Sequence, residues 1–445
     1  MVPMCSAANS NDIKRRFKYW QNRTLISTIV CYAVFYLVRK NLSMAMPGME
    51  EDLGITKVQL GVFLSLHGVV YGVSKFLSGF AADRFSSRHL LVCGLLMCSI
   101  CNIIFGSSSS LMIFGVVWVV NGLFQGMGFP PIARLLTHWI PPKELATKMS
   151  RWNTSHSIGA GLAYIICGCV VSLGWRWCFY VPSGIAFLCV AFIWFSVCDT
   201  PKSVGLPEMD NNASINTNFN SGDSKKDEQI ISASDELSSV EYRRLLMKKV
   251  FKNKAIWVLG VSNIFVYILR FAILDWGPML LKEWKGLSLT NAGWIVAAFE
   301  ISGVFGILLS GWVTDKFFNG RSQRVCVISL LLASFFVFLF WRISSAPPWL
   351  NITFLILSGF FIYGPQALGG VATANIATRK VAATAVGFHG FWGYLSTLIT
   401  GLGVGIITAK FGWSYTLGFV FCAGLVGAFV FALIWNSKAD GYDDV

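Results

Sequence analysis

The sequence predicts an all-α membrane protein with twelve spanning helices in two pseudo-symmetric six-helix halves. Three observations predict it. The 445 residues are 55% hydrophobic and only 13% charged, with a mean hydropathy of +0.60; soluble domains carry about twice that charged fraction. Apolar runs of about 20 residues, long enough to cross a bilayer as helices, recur along nearly the whole chain. The two halves of the chain also repeat one another.

In chain order, residues 1–23 (MVPMCSAANSNDIKRRFKYWQNR) are polar and basic. They lack an apolar core followed by a small-residue cleavage site, so they read as a cytoplasmic tail ahead of a retained helix. Spans are predicted at 24–46, 59–82, 89–107, 111–137, 151–173 and 177–197, which make the N-terminal half (24–197). Residues 198–254 are a cytoplasmic linker, Asn/Ser-rich and poor in aromatics, a composition that favours disorder. Its end, EYRRLLMKKVFKNK, has the pattern of a basic amphipathic helix on the membrane surface. The C-terminal half (255–436) holds spans at 255–281, 291–314, 323–344, 350–373, 380–408 and 414–436, before a tail at 437–445.

Charge fixes the expected orientation. Of 36 Lys and Arg, with bases within two residues of a span end counted with the adjoining loop, 25 fall in the tails and in the loops after even-numbered spans, six in the loops after odd-numbered spans, and five deeper inside spans. Cytoplasmic loops carry the basic excess, so both termini are expected in the cytoplasm. The net charge of +14 is then a matter of topology, and nucleic acid is not needed as a partner. The cysteines lie mostly in apolar segments. Cys98 and Cys101 form a C-x-x-C with no second pair or histidine at ligand spacing, so no metal and no cofactor are expected.

The repeat is carried by four matches in the same order. GFAADRFSSR (79–88) answers GWVTDKFFNGR (311–321) at an offset of 232. FYLVR (35–39) answers VYILR (266–270) at 231, and His156 answers His389 at 233. GMGFPP (126–131) answers YGPQ (363–366). Such near-constant offsets mark a duplicated unit. Like-oriented repeats place a transporter's site near the midplane between the halves, with access alternating by rocking. The loop pattern Gly-x-x-x-Asp-basic resembles that of the major facilitator superfamily, with Ser86 where a glycine is common. Asp83, Arg84 and Asp315 in these loops are expected to act as conformational latches.

Five bases lie inside the predicted spans and more than two residues from their ends: Arg39, Lys40, Lys75, Arg134 and Arg270. Each is costly in a bilayer, by about 2.5–3.5 kcal/mol at the centre on the insertion scale, and so marks function. Arg39 stands 16 residues past Arg23, and Arg270 stands 16 past Lys254. At about 1.5 Å per residue both are expected at matched depth, facing each other across the repeat axis. Two guanidinium forks suit a small polyanion, since they bind phosphate or carboxylate bidentately and keep their charge. Arg134 is expected near the cytoplasmic end. The spans hold two acids, Asp275 and Glu300. If two lysines take them, both arginines are left to await an anion. Helical spacing puts Tyr32 and Tyr36 on the face of Arg39, Tyr71 on that of Lys75, and Asn263 and Tyr267 on that of Arg270. His156, His389 and Tyr394 complete the candidate substrate-binding set.

Several stretches resemble the organophosphate:inorganic phosphate antiporter family: YLVRKNLSMAMP, VYGVSKFLSG, GLFQGMGFPPIARLLTHW, WNTSHSIGAG, DTPKSVGLPE, NIFVYILRFAILDWGP and YGPQALGG. The resemblance runs from residue 18 to about 436 without the linker. FKYWQNR, FFNGR and YGPQALGGVA are most similar to hexose-phosphate transporters and their sensor relatives. The resemblance implies that Arg39 and Arg270 hold phosphate, that His156 assists, and that Lys40 and Lys75 bridge to Asp275 and Glu300 and open and close during rocking. The family's Ala-His-Asn motif is Ser155-His156-Ser157 here, with Ala160 where the motif's glycine pair is expected. Val386 and His389 replace an acid and a base of span 11, so the sugar stays open.

The expected function is a monomeric inner-membrane antiporter, not an enzyme. It would exchange external sugar phosphate, such as glucose-6-phosphate, for internal inorganic phosphate. A hexose-phosphate sensor, a carrier of glycerol-3-phosphate and a proton-coupled carrier of another organic anion are the alternatives.

Overall fold

The computed structural model describes residues 10–207, 239–343, 347–377 and 381–437. The side chains of a few helix positions, Asp83 among them, fall outside the described set, as does most of the linker, where disorder was expected. Among the described residues all regular structure is helical. Twelve helices are long and apolar enough to cross a membrane. They are span 1 (Asp12–Leu53), span 2 (Lys57–Gly79), span 3 (Ser87–Ser107), span 4 (Leu111–Trp139), span 5 (Arg151–Leu173) and span 6 (Trp177–Ser196). Then follow span 7 (Lys254–Lys285), span 8 (Leu289–Phe318), span 9 (Ser322–Arg342), span 10 (Pro348–Ile376), span 11 (Thr384–Phe411) and span 12 (Trp413–Ala432). Large apolar side chains stand outward on them, among them Met112 (78% exposed), Leu188 (75%) and Phe195 (74%). Exposed apolar surface on this scale requires a hydrocarbon surrounding.

Three elements differ from the sequence expectation. The helix that holds span 1 begins at Ser10, so residues expected as a tail are helical. They gain partners that a bare tail lacks: Trp20 stacks on Trp139 at 6.1 Å, and Gln21 Nε2 donates to the Trp139 carbonyl at 2.8 Å. Span 4 is two helices, Leu111–Gln125 and Phe129–Trp139. Pro130 and Pro131 follow the break, where missing N–H groups and ring clashes forbid a continuous α-helix. Span 11 contains a π-helical turn at Ile399–Gly403, a form that recurs at functional sites.

An even number of crossings puts both ends of the chain on one side, here the termini side. The halves are tied on the other, far side. Lys57 Nζ of the N-terminal half lies 3.0 Å from Glu283 Oε1 of the other, and Lys282 pairs with Glu51. Ser65 Oγ donates to the Thr397 carbonyl at 3.0 Å and accepts from the Leu402 N–H at 2.8 Å. Thr290 Oγ1 donates to the Gly168 carbonyl at 2.8 Å. A Cβ on Gly61 would lie 2.4 Å from the Gly401 carbonyl oxygen, so spans 2 and 11 meet backbone to backbone at the π turn. Where both partners are described, every hydrogen bond and ion pair between the halves lies at mid-membrane or on the far side.

Candidate functional site

Spans 1, 2, 5, 7, 8, 10 and 11 bring the charged and aromatic residues together at mid-membrane. Span 1 supplies Arg39 and Lys40, which point to different partners because successive residues are turned about 100° round a helix. Lys40 Nζ contacts Asp275 Oδ1 of span 7 at 2.5 Å, with both groups buried. This ion pair joins the halves, as the resemblance implied.

Glu300 makes a different bridge from the expected one. Its Oε1 lies 3.3 Å from Arg270 Nη2, and Lys75 has no carboxylate within 4.0 Å among the described residues. The expectation that both arginines lack a counter-charge therefore fails for Arg270. Spans 7 and 8 are neighbours within one half, so a bridge between them needs no contact across the halves. Lys75 instead points its ammonium at rings, 4.1 Å from Phe129 and 5.5 Å from Tyr394. Arg270 is further held by its Nε, which donates to Tyr363 Oη at 2.9 Å. Among the described residues no hydrogen bond of its Nη1 joins these.

Arg39 is 9% exposed and has no carboxylate within salt-bridge distance among the described residues. Its guanidinium lies over the Tyr71 ring at 4.1 Å and the Tyr36 ring at 5.5 Å. Ring faces attract a cation but do not cancel its charge. The Phe271 ring lies 5.7 Å from the Arg270 guanidinium and 5.0 Å from Nζ of Lys40, the residue after Arg39, so the cations of spans 1 and 7 meet in one region. Four cations (Arg39, Lys40, Lys75, Arg270) stand against two carboxylates, an excess of two positive charges.

His156 is buried and meets Tyr36 edge to face at 5.8 Å. Its Nδ1 bonds the Asn153 carbonyl. A carbonyl only accepts, so Nδ1 carries the proton, and Nε2 lies 3.5 Å from Ser157 Oγ. One turn on, Gly159 lets span 5 close against span 1: a Cβ there would lie 2.4 Å from the Ala33 carbonyl oxygen.

The remaining candidates divide. Tyr71 and Tyr394 meet at 5.1 Å, and Tyr394 reaches Tyr267 at 6.1 Å, a chain of rings across the halves. Tyr32 is packed among Tyr36, Phe129 and Trp152. Asn263 Nδ2 donates to the His389 carbonyl at 2.9 Å, so it ties span 7 to span 11. The His389 ring is buried beside Gly369 of span 10, and neither ring nitrogen has a hydrogen bond of normal geometry. Arg134 caps the end of span 2 through the carbonyls of Ala82 and Phe85, away from this site. Arg84 and Asp315 are exposed on the termini side. Tyr363 was not among the sequence candidates. Its signal was its place in YGPQ, the counterpart of the span 4 break.

Comparison with known proteins gives this arrangement a family. The model of the Major Facilitator Superfamily matches residues 28–399 and 278–443. The chain is 36% identical over 443 residues to a probable hexose phosphate transport protein of Chlamydia trachomatis, covering 98% of this chain and 96% of that protein. It is 32% identical over 443 residues to the glycerol-3-phosphate transporter of Bacillus subtilis, covering 98% and 97%. It is also 32% identical over 404 residues to the membrane sensor protein UhpC of Escherichia coli, covering 91% and 89%. The chain therefore belongs to the Major Facilitator Superfamily, within its group of organophosphate transporters and their sensor relatives.

Proposed function

We propose that the protein exchanges a sugar phosphate, a hexose phosphate such as glucose-6-phosphate, for inorganic phosphate by alternating access, as a monomer in a cell inner membrane with both termini cytoplasmic. The observation that carries this reading is Arg39, a buried guanidinium without a carboxylate among the described residues, in one region with Lys40 and Arg270. An uncompensated buried charge is costly, and an incoming phosphate removes that cost while taking bidentate, charge-assisted bonds from the forks. The relatives named for hexose phosphate and for glycerol-3-phosphate differ in the carbon part and share the phosphate, which supports phosphate as the anchored group.

In this mechanism phosphate lies between Arg39 and Nη1 of Arg270, the tyrosine hydroxyls donate to its oxygens, and the unprotonated Nε2 of His156 accepts from a P–OH of the phosphate. Tyr32, Tyr36, Tyr71, Tyr267 and Tyr394 line the space for the sugar, and Asn263 and His389 shape its span 11 wall. The two excess positive charges hinder the empty carrier from closing, because closure removes water from them. Bound phosphate supplies the counter-charge and lets the halves rock, which makes transport an exchange. The Lys40–Asp275 pair across the halves and the Arg270–Glu300 pair rearrange as they do, while Lys75 follows the anion and Asp83, Arg84 and Asp315 latch the termini side.

Counterflow in proteoliposomes tests this. Labelled phosphate trapped inside should leave only when phosphate or a phosphate ester is added outside, with glucose-6-phosphate more effective than glycerol-3-phosphate. Glucose-6-phosphate uptake without internal phosphate would sink exchange. A second reading, a hexose-phosphate sensor, is favoured by the relative named as a sensor. Tight ligand binding with negligible flux in the same vesicles would select it.

A further inference from the structure

The end of the linker is a site that the transport reading leaves unused. Ser239–Leu246 is α-helical and continues through a π turn, Met247–Phe251, into span 7, which starts at Lys254. Residues 243–254 read RRLLMKKVFKNK, with six bases and no acid. The helix is strictly two-sided. Val250 is fully buried, and Leu245 and Leu246 pack on the large hydrophobic core to which span 7 contributes. Arg243, Arg244, Lys248, Lys252 and Lys254 are exposed. Met247 (47% exposed) and Phe251 (37%) stand beside them.

Its level is fixed by span 7. Only Lys252 and Asn253 separate the π turn from the first residue of that span, so the basic face lies at the depth where the bilayer's polar headgroups begin. The exposed Trp257, one turn into span 7, marks the same boundary, where tryptophans concentrate. Its indole N–H donates to the Phe251 carbonyl at 2.7 Å. Phe251 and Trp257 both pack on Phe388 of span 11, at 5.6 and 5.2 Å. The basic helix is thus riveted to the termini ends of spans 7 and 11.

An exposed basic face, with Glu241 the one acid in its helix, flanked by exposed apolar side chains at headgroup depth, is complementary to one occupant. We propose that Arg243, Arg244, Lys248 and Lys252 bind the headgroups of anionic phospholipids, while Met247 and Phe251 enter the acyl boundary. The topology rule alone explains basic loops on this side. It does not explain a folded two-sided helix fixed by an aromatic rivet. The proposal stands apart from the identity of the transported anion.

The test is native mass spectrometry and lipid titration of the full-length protein in phosphatidylcholine nanodiscs, with phosphatidylglycerol as probe. The variant R243Q/R244Q/K248Q/K252Q keeps helix-forming residues and should bind phosphatidylglycerol at least about tenfold more weakly, since each base near an anionic surface contributes about fivefold. The charge-keeping variant R243K/R244K/K248R/K252R should bind like the wild type, which separates lost charge from lost folding. Neutralising Lys14, Arg15, Arg16 and Lys18 instead should have little effect. Equal binding by the four-glutamine variant overturns the proposal. An equal loss from the N-terminal neutralisation also overturns it, because attraction would then be general to the basic side. So does pyrophosphate binding without phosphatidylglycerol binding.

Discussion

Arg39 and Arg270 occupy equivalent places in the two repeats, and their surroundings differ in kind. Arg39 rests on the faces of Tyr71 and Tyr36 with no carboxylate. Arg270 is gripped by the Tyr363 hydroxyl and balanced by Glu300. A ring face holds a cation loosely and leaves its N–H groups free, whereas a carboxylate and a hydroxyl fix the fork and use those groups. The repeat conserves the charge and its depth. The difference comes from the neighbours, and in the proposed mechanism it divides the labour: Arg39 would wait for an anion, and Arg270 would be kept oriented to share it.

The largest expected effect breaks both sides of the comparison. Arg39→Lys or Arg270→Lys should lower phosphate exchange in proteoliposomes by more than about 100-fold, because lysine cannot form two parallel bonds, each worth about 1.5–3 kcal/mol. Normal size-exclusion behaviour would show that the protein is folded, and full exchange by either variant would end this site assignment. Glu300→Gln sharpens the contrast by removing the balance of Arg270. Phosphate should bind about tenfold tighter and turn over more slowly, since a second buried arginine then lacks a counter-charge. Unchanged affinity by equilibrium binding would show that Glu300 does not compete with the anion.

The tyrosines give a finer test. Tyr363→Phe removes the hydroxyl that holds Arg270 and should weaken phosphate binding by about tenfold, the cost of one charge-assisted hydrogen bond. Tyr71→Phe keeps the ring under Arg39 and should change binding by less than about threefold, a fraction of 1 kcal/mol. Equal effects from the two would erase the distinction. The smallest effect concerns the far side. Lys57→Gln with Glu283→Gln removes a partly exposed ion pair and should shift the halves toward opening there by about 1 kcal/mol or less. Paired spin labels across the far side would read this as a longer distance distribution, and an unchanged distribution would show that the helix contacts alone hold that side shut.

Much of the fold was legible in the sequence because a bilayer imposes a length and a composition on each helix. The twelve spans followed from that, and the duplicated unit was read from motif matches at near-constant offset. Helix ends did not: the start of span 1 depends on Trp20 and Gln21 meeting Trp139, contacts between segments more than 100 residues apart. The charged residues of the site were legible because each is an anomaly in an apolar run. Their pairing was only half legible. Lys40–Asp275 came from the family resemblance, while Glu300 bridges to Arg270 in its own half, a choice set by which helices pack together and invisible to spacing along one helix. Tyr363 escaped for the same reason, since its partner lies 93 residues away on another span.

Equilibrium binding of labelled phosphate to purified Arg39→Gln, beside the wild type, tests the central claim most directly. If Arg39 is the uncompensated charge that awaits the anion, binding should fall at least about 100-fold while Arg270 stays paired with Glu300. Wild-type affinity in a folded Arg39→Gln protein would contradict the account.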